Sequence, residues 1–482
     1  MLNYGAIFYI IGWLVAGFGL VMFLPSGVSL LYGENEWLPF AISALFAFFI
    51  GGNLAIINRG APSQLGHRDG FLLTFLIWTI LGVLGALPLY FTGDVGSFIN
   101  AVFESFSGLT TTGATIMTGL DETAKGVLFW RALIQWIGGM GIIVLAIAIL
   151  PFLGVGGMQL YKSEMPGVVK DKLRPRLQET AKLLWIVYLF LTVMCAVAYT
   201  LAGMGTFDAI CHAFTTVATA GFTNYDASFA AFNSPLIEWI AIFFMFVGGI
   251  NFALHFLFLG RGNFSVYYKD SEFLWYLGYL FFACLVAILM FLVSGGMGDV
   301  GVTQVVFNIV SMATTTGFVS GDYSLWPGLI PMLIIALMFH GGSTGSTVGG
   351  LKVMRVMMVM KQGQREVKRL LHPHSLQYLR VDKKVVSDDV LQTVWSFIGL
   401  YFFTFIIITL LISAMGLDIV TAFSAVAATI TSAGPGLGDV GPSSNYASLP
   451  EAAKLLLCVS MLLGRLELFT VLLVFSPHFW RK

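Results

Sequence analysis

Charge is scarce in this sequence. Only 10% of its 482 residues are Asp, Glu, Lys or Arg, whereas 57% are hydrophobic and the mean hydropathy is +0.87. A soluble globular domain carries about 25% charged residues, so a water-soluble fold is excluded and a polytopic membrane protein is expected. The formal net charge is zero, so bulk charge says nothing about partners, and no nucleic-acid partner is expected. Cysteine is equally sparse. Cys195, Cys211, Cys284 and Cys458 are scattered without a CxxC pair, which indicates neither a zinc site nor a disulfide framework. No G-x-x-x-x-G-K-[ST] phosphate loop and no H-E-x-x-H occurs, and His372-Pro373-His374 is a weak metal pattern. His212 and His340 are expected to pack in the core. With no nucleophile–base pair in view, no enzyme is expected. The N-terminus lacks a basic region and a small-residue cleavage site, and is read as a retained helix.

What the chain does hold is a short polar stretch among long apolar runs, Leu109-Thr110-Thr111-Thr112-Gly113, which returns three times in altered form. The others are Thr219-Ala220-Gly221, Thr315-Thr316-Gly317 and Ser432-Ala433-Gly434, with the glycines about 100 residues apart. Before each tip lies a mainly apolar segment: Phe98–Leu109, Phe207–Ala218, Val302–Ala313 and Ile419–Ile430. A dozen residues cannot cross a bilayer, which takes about 20, but suit a helix that enters and stops halfway. Bare backbone at that depth is tolerated where it lines an aqueous cavity, and four converging tips would form a ring of oxygens able to replace the hydration of a monovalent cation.

The expected fold is all-α: a fourfold pseudo-repeat of helix, pore helix, filter loop and helix around one central pore, preceded by two N-terminal helices, ten spans in all. Residues 1–65 hold the two extra helices, near 4–25 and 37–58, with Gly51-Gly52 allowing close packing. Repeat one is 66–160, with spans Phe71–Phe91 and Gly126–Leu150. Repeat two is 161–265, with Ala181–Leu201 and Pro235–Leu259. Repeat three is 266–385, with Phe273–Val293 and a long segment from Gly328 to near Met360. Repeat four is 386–482, with Val390–Met415 and Glu451–Phe475. About 21 of the 25 basic residues, among them Lys162, Lys170, Lys172 and a cluster from Lys352 to Lys384, fall in segments on one face of this arrangement. The positive-inside rule makes that face cytoplasmic, places both termini there and brings the tips in from outside. Glu34, Glu36, Asp94, Asp121, Glu122, Asp226, Asp322 and Asp439 then form an acidic outer rim, which would concentrate cations or is ordinary solvated surface.

The tips contain no Asp, Glu or Lys; the nearest carboxylate, Glu104, lies on the pore helix. Neutral oxygens from Thr111 and Thr112, Thr219 and Ala220, Thr315 and Thr316, and Ser432 and Ala433, mostly backbone, suit a large, weakly hydrated cation. Gly113, Gly221, Gly317 and Gly434 let successive carbonyls turn inward. The Gly328–Met360 segment contains Gly341-Gly342-Ser343-Thr344-Gly345-Ser346 followed by Thr347 to Gly350, and each Gly costs about 1 kcal/mol in a helix interior, so a loop at 340–350 inside the membrane is expected. Arg465 sits mid-span, either as a positive barrier below the filter or as a structural ion pair with Glu467 or another repeat.

The four tips, the His340–Ser346 interruption and Arg465 resemble the Trk/Ktr/HKT superfamily of potassium transporters, most of all the TrkH subunits of bacteria, over about residues 1–480. The resemblance implies potassium as the permeating ion, with rubidium accepted, and loop 341–346 as the gate. It implies a bacterial inner membrane location, a homodimer with one pore per protomer, and a cytosolic ring of TrkA-like subunits that binds NADH and ATP. This chain has no nucleotide-binding domain of its own. Channel-like permeation and transport coupled to sodium or protons both remain open at this point.

Overall fold

The computed structural model describes residues 2–61, 65–148, 173–298, 300–374, 377–382 and 384–481. Helices dominate. Among the described residues the strands are one antiparallel pair of two residues each, Arg380–Val381 with Lys384–Val385. Lys162, Lys170 and Lys172, and the boundary expected at 160, lie outside the described residues.

Helices α1 (Tyr4–Val21) and α2 (Phe23–Tyr32) form one apolar stretch of 29 residues, and α3 (Trp37–Ile57) folds back on α1. A Cβ added at Gly12 would lie 2.5 Å from the Ala55 nitrogen, and one at Gly51 2.3 Å from the Ala16 nitrogen, so the two backbones touch where side chains are absent. Gly52, expected to share that contact, faces open space instead, because neighbouring residues on a helix point in different directions.

After this pair the chain runs α4 (His67–Thr92), α5 (Phe98–Leu109) and α6 (Lys125–Ala148). The order of a long helix, a twelve-residue helix and one or two further helices then recurs. It appears as α7 (Leu173–Leu201), α8 (Thr206–Val217), α9 (Pro235–Gly248) and α10 (Phe252–Arg261), and again as α11 (Ser271–Val293), α12 (Val302–Ala313), α13 (Ile330–His340) and α14 (Val353–Leu371). The last set is α15 (Asp388–Ala414), α16 (Ile419–Ile430), α17 (Glu451–Arg465) and α18 (Leu468–Phe475). Helices α5, α8, α12 and α16 have twelve residues each, about 18 Å at 1.5 Å per residue, well short of a ~30 Å hydrocarbon core. Three match the expected segments residue for residue, and α8 begins and ends one residue early. Ser97 and Asp418 start two of them by accepting from the Asn100 and Thr421 amides.

Six helical stretches of the described residues are long and apolar enough to cross a membrane, or eight if each of two bent pairs counts once. The ten expected spans included the end of α6 at 149–150, outside the described residues, and the 328–360 segment, which is indeed interrupted between His340 and Val353. Two further interruptions were not expected. Pro235–Leu259 is not one helix: α9 and α10 meet at 96°, where a Cβ at Gly249 would lie 2.0 Å from the Tyr276 hydroxyl and Asn251 caps the new helix at the Ala253 amide. Nor is Glu451–Phe475, since α17 and α18 meet at 118° across Leu466 and Glu467, with Glu467 at φ +63°. The basic segment from Lys352 is largely helix α14 rather than loop; it buries Met354, Met357 and Met358 and exposes Lys368 and Arg369.

Candidate functional site

The four short helices stop in the same way. The residue just past the cap is Thr111, Thr219, Thr315 or Ser432, with φ of 55°, 50°, 49° and 59°. Its amide donates to the carbonyl three residues back (Gly108, Thr216, Met312, Thr429). The next amide donates five residues back, to Ser107, Thr215, Ser311 and Ala428. This paired-bond helix stop usually places glycine at the left-handed position. A threonine there carries strain of about 1–3 kcal/mol. Keeping threonine three times and serine once retains a hydroxyl at each tip at that cost.

Two residues further on, Gly113, Gly221, Gly317 and Gly434 also have positive φ, between 80° and 91°. A Cβ on Gly113 would stand 2.4 Å from the Ala220 carbonyl oxygen, and one on Gly221 2.1 Å from that of Thr316. On Gly317 it would stand 2.2 Å from that of Ala433, and on Gly434 2.7 Å from that of Thr112. Each tip thus abuts the next, and the fourth returns to the first. All four glycines line one cavity of about 230 Å³, which Arg131, Asp226 and Tyr446 also border. All twelve residues expected in the tips are therefore brought together. The helix C-termini that deliver them carry partial negative charge, which favours a cation.

The ring itself is neutral. Among the described residues no group of three or more His, Cys, Asp or Glu could hold a metal ion. Glu104 is fully buried behind the first tip, where its carboxylate accepts from Arg131 Nε at 2.9 Å, the Thr115 hydroxyl at 2.9 Å and the Ile116 amide at 2.9 Å. The Thr111 and Ser432 hydroxyls are buried with no hydrogen-bond partner. Several rim acids serve the backbone: Glu34 receives the Lys125 and Gly126 amides, and Asp226 those of Gly119 and Leu120. Glu34, Glu36, Asp94 and Glu122 border a separate outer hollow.

Directly beneath the tips lies the 341–350 segment. The Thr347 hydroxyl donates to the Val217 and Gly248 carbonyls at 3.2 Å and accepts from Thr219 at 3.0 Å. The Gly349 amide donates to the Thr315 hydroxyl at 2.7 Å, and that of Gly350 to the Thr431 carbonyl at 3.0 Å. Gly341 and Gly342 lead in from α13, and Ser343 and Gly345 exchange backbone bonds with the α9–α10 break, Ser343 N to Gly249 O and Phe252 N to Gly345 O. Ser346 bonds back to the Ser343 carbonyl. Glu272 holds the Thr344 and Met354 amides, one within the segment and one just after it. Arg465, 4% exposed, donates to the Thr347 carbonyl at 2.8 Å and to Gly138, which packs against the Leu109 carbonyl. Its expected alternative partner, Glu467, pairs with Arg355 at 2.5 Å instead.

His212 and His340 are packing residues. His212 lies among Tyr225, Phe229 and Phe232, and His340 lies on Tyr279 at 4.4 Å. Arg131, Gln135 and Glu272 escaped the sequence reading, whereas Thr347 fell within the expected 340–350 loop. For Arg131 and Gln135 the signal was available, since both interrupt the apolar run of α6.

Fold and site together define a multi-pass helical membrane protein with four half-length helices aimed at a common ring. The TrkH family, described as cation transport proteins, matches residues 39–482, and the chain belongs to that family. It is 46% identical to the Trk system potassium uptake protein TrkH of Halomonas elongata over 98% of both chains. It is 45% identical to the protein of the same name from Escherichia coli K12 over the full length of both. The crystal structure of the potassium transporter TrkH from Vibrio parahaemolyticus superposes over the whole of both chains with a TM-score of 0.92 at 42% identity.

Proposed function

We propose that this chain takes up potassium, with rubidium accepted in its place, by channel-like permeation through a single pore. The observation that carries the reading is the closed cycle in which each tip's glycine abuts a carbonyl of the next tip. Thr111 to Gly113, Thr219 to Gly221, Thr315 to Gly317 and Ser432 to Gly434 form a short filter whose neutral oxygens stand in for the ion's water. Names carried by relatives at 45% identity support potassium as the ion. The recurring helix order supports a fourfold repeat, with boundaries taken near 65, 160, 265 and 385.

The gate is the 341–346 run with Arg465. In support, the segment's bonds occupy the Thr219 and Thr315 hydroxyls, and Arg465 ties it to α6. Moving it away would release the Thr219 and Thr315 hydroxyls from these bonds, while those of Thr111 and Ser432 have no partner to lose. The setting is a bacterial inner membrane with both termini cytoplasmic, and the assembly is a homodimer. The exposed bases of α14 suit docking of a TrkA-like cytosolic ring, which would carry the NADH or ATP site; lipid surrounds the rest.

Reconstitution into liposomes tests this. Rubidium entry should follow the potassium gradient and the membrane potential alone. Entry that stops when sodium is removed and the pH gradient collapsed would instead establish coupled symport.

A further inference from the structure

Beyond the tips themselves, one turn of α6 reaches around the second tip. Arg131 and Gln135 are four residues apart and so share a helix face. Gln135 brackets Gly221: its Nε2 donates to the Ala220 carbonyl at 2.5 Å, and its Oε1 accepts from the Phe222 amide at 3.0 Å. Arg131 holds the next residue, donating to the Thr223 carbonyl at 2.9 Å, and lies over the Phe222 ring at 4.2 Å. The same guanidinium bonds Glu104 and Thr115, behind and just after the first tip. Both side chains are essentially inaccessible to solvent.

The other tips are held differently. The third relies on its own pore helix, with Ser311 donating to the Phe318 carbonyl and Asn308 bonding Ser320. Phenols hold the fourth, Tyr446 to the Gly434 carbonyl and Tyr323 to that of Gly436. Among the described residues, the junction of the first and second tips alone is fastened by a buried ion pair.

We propose that Arg131 and Gln135 are positioning residues for ion selection: a clasp that fixes the Ala220 carbonyl and ties the second tip to the first. This rests on the tips being the filter. Gln135 sets the Ala220 oxygen from outside, so that its remaining lone pair is offered inward at a fixed place. A glutamine is suited to this because one amide supplies both the donor and the acceptor that the two flanks of Gly221 require. Gln135 is fully buried against the second tip and does not border the cavity that the four glycines line, so its loss should change which ion is preferred more than whether the protein folds.

The test uses the full chain in liposomes, at equal amounts of monodisperse protein, with radiolabelled rubidium and sodium entry measured side by side. Gln135→Met, of similar shape but with neither bond, should lower the rubidium-to-sodium ratio by about tenfold, the size expected for one buried hydrogen-bonding partner removed. A merely structural role would scale both fluxes together, so an unchanged ratio overturns the proposal. If Gln135→Met does not fold, Arg131→Lys serves. It keeps the charge beside Glu104 but loses the fork to Thr223, and the ratio must again fall. Gly317→Ser is run alongside. A ratio changed by Gly317→Ser but not by the clasp variants sinks the clasp alone, and a ratio changed by neither sinks the filter with it.

Discussion

Arg465 Nη1 lies 2.8 Å from the carbonyl oxygen of Thr347, and the Thr347 side chain hangs beneath the second tip. A buried cation thus holds in place the segment that occupies the space below the ring. Removing the guanidinium loses a charge-assisted bond of about 1.5–3 kcal/mol, enough to raise the freed population roughly tenfold or more. Arg465→Ala should therefore increase rubidium entry into proteoliposomes. Unchanged entry at normal folded yield would make Arg465 a packing residue only.

The Gly349 amide depends on the Thr315 hydroxyl for its bond. Thr315→Val keeps the shape and orphans that amide, costing about 1–3 kcal/mol. The expectation is faster flux with a lower Tm, and recovery of both in Thr315→Ser. A Val variant that behaves as wild type would show that the bond does not restrain the segment.

Gly317 faces the Ala433 carbonyl with φ +83°, so Gly317→Ser meets both a steric and a backbone penalty. Preference for potassium over sodium should fall, read as competition by sodium against rubidium entry. Intact preference would place selection elsewhere in the chain.

Gly138 and Gly464 pack on the ends of the short helices α5 and α16, where a Cβ would lie 1.9 Å from the Leu109 carbonyl oxygen and 2.0 Å from that of Ile430. Backbone cannot step aside there, so Ala at either site should lower stability by about 1–3 kcal/mol or more, seen as a fall in Tm in detergent. Gly17→Ala in α1, with nothing within 4 Å of the added carbon, should raise or maintain it.

The half-length helices and their tips were legible because both signals are local: twelve apolar residues, then small polar ones around a glycine. The break after His340 was legible for the same reason, with five glycines in ten residues. The bend at Gly249–Asn251 was missed although part of its signal is local, a Gly248-Gly249 pair followed by the capping Asn251; the close approach of the Tyr276 hydroxyl from another helix is what the sequence does not show. The bend at Glu467 was hidden too. Its partner Arg355 lies 112 residues away, and the sequence offered Arg465 as the nearer mate. The rim acids misled in the opposite direction: Glu34 and Asp226 read as free surface charge, yet each secures two amides. Partners separated by a hundred residues leave no periodicity to read.

The cycle from Gly113 through Gly221, Gly317 and Gly434 closes within one polypeptide. In an assembly of four identical subunits, a single codon change would strike every quadrant at once. Here it strikes one, leaving three untouched, so the four tips are free to differ: the first and second are joined through Arg131, the third is held by its own short helix, and the fourth by two phenols.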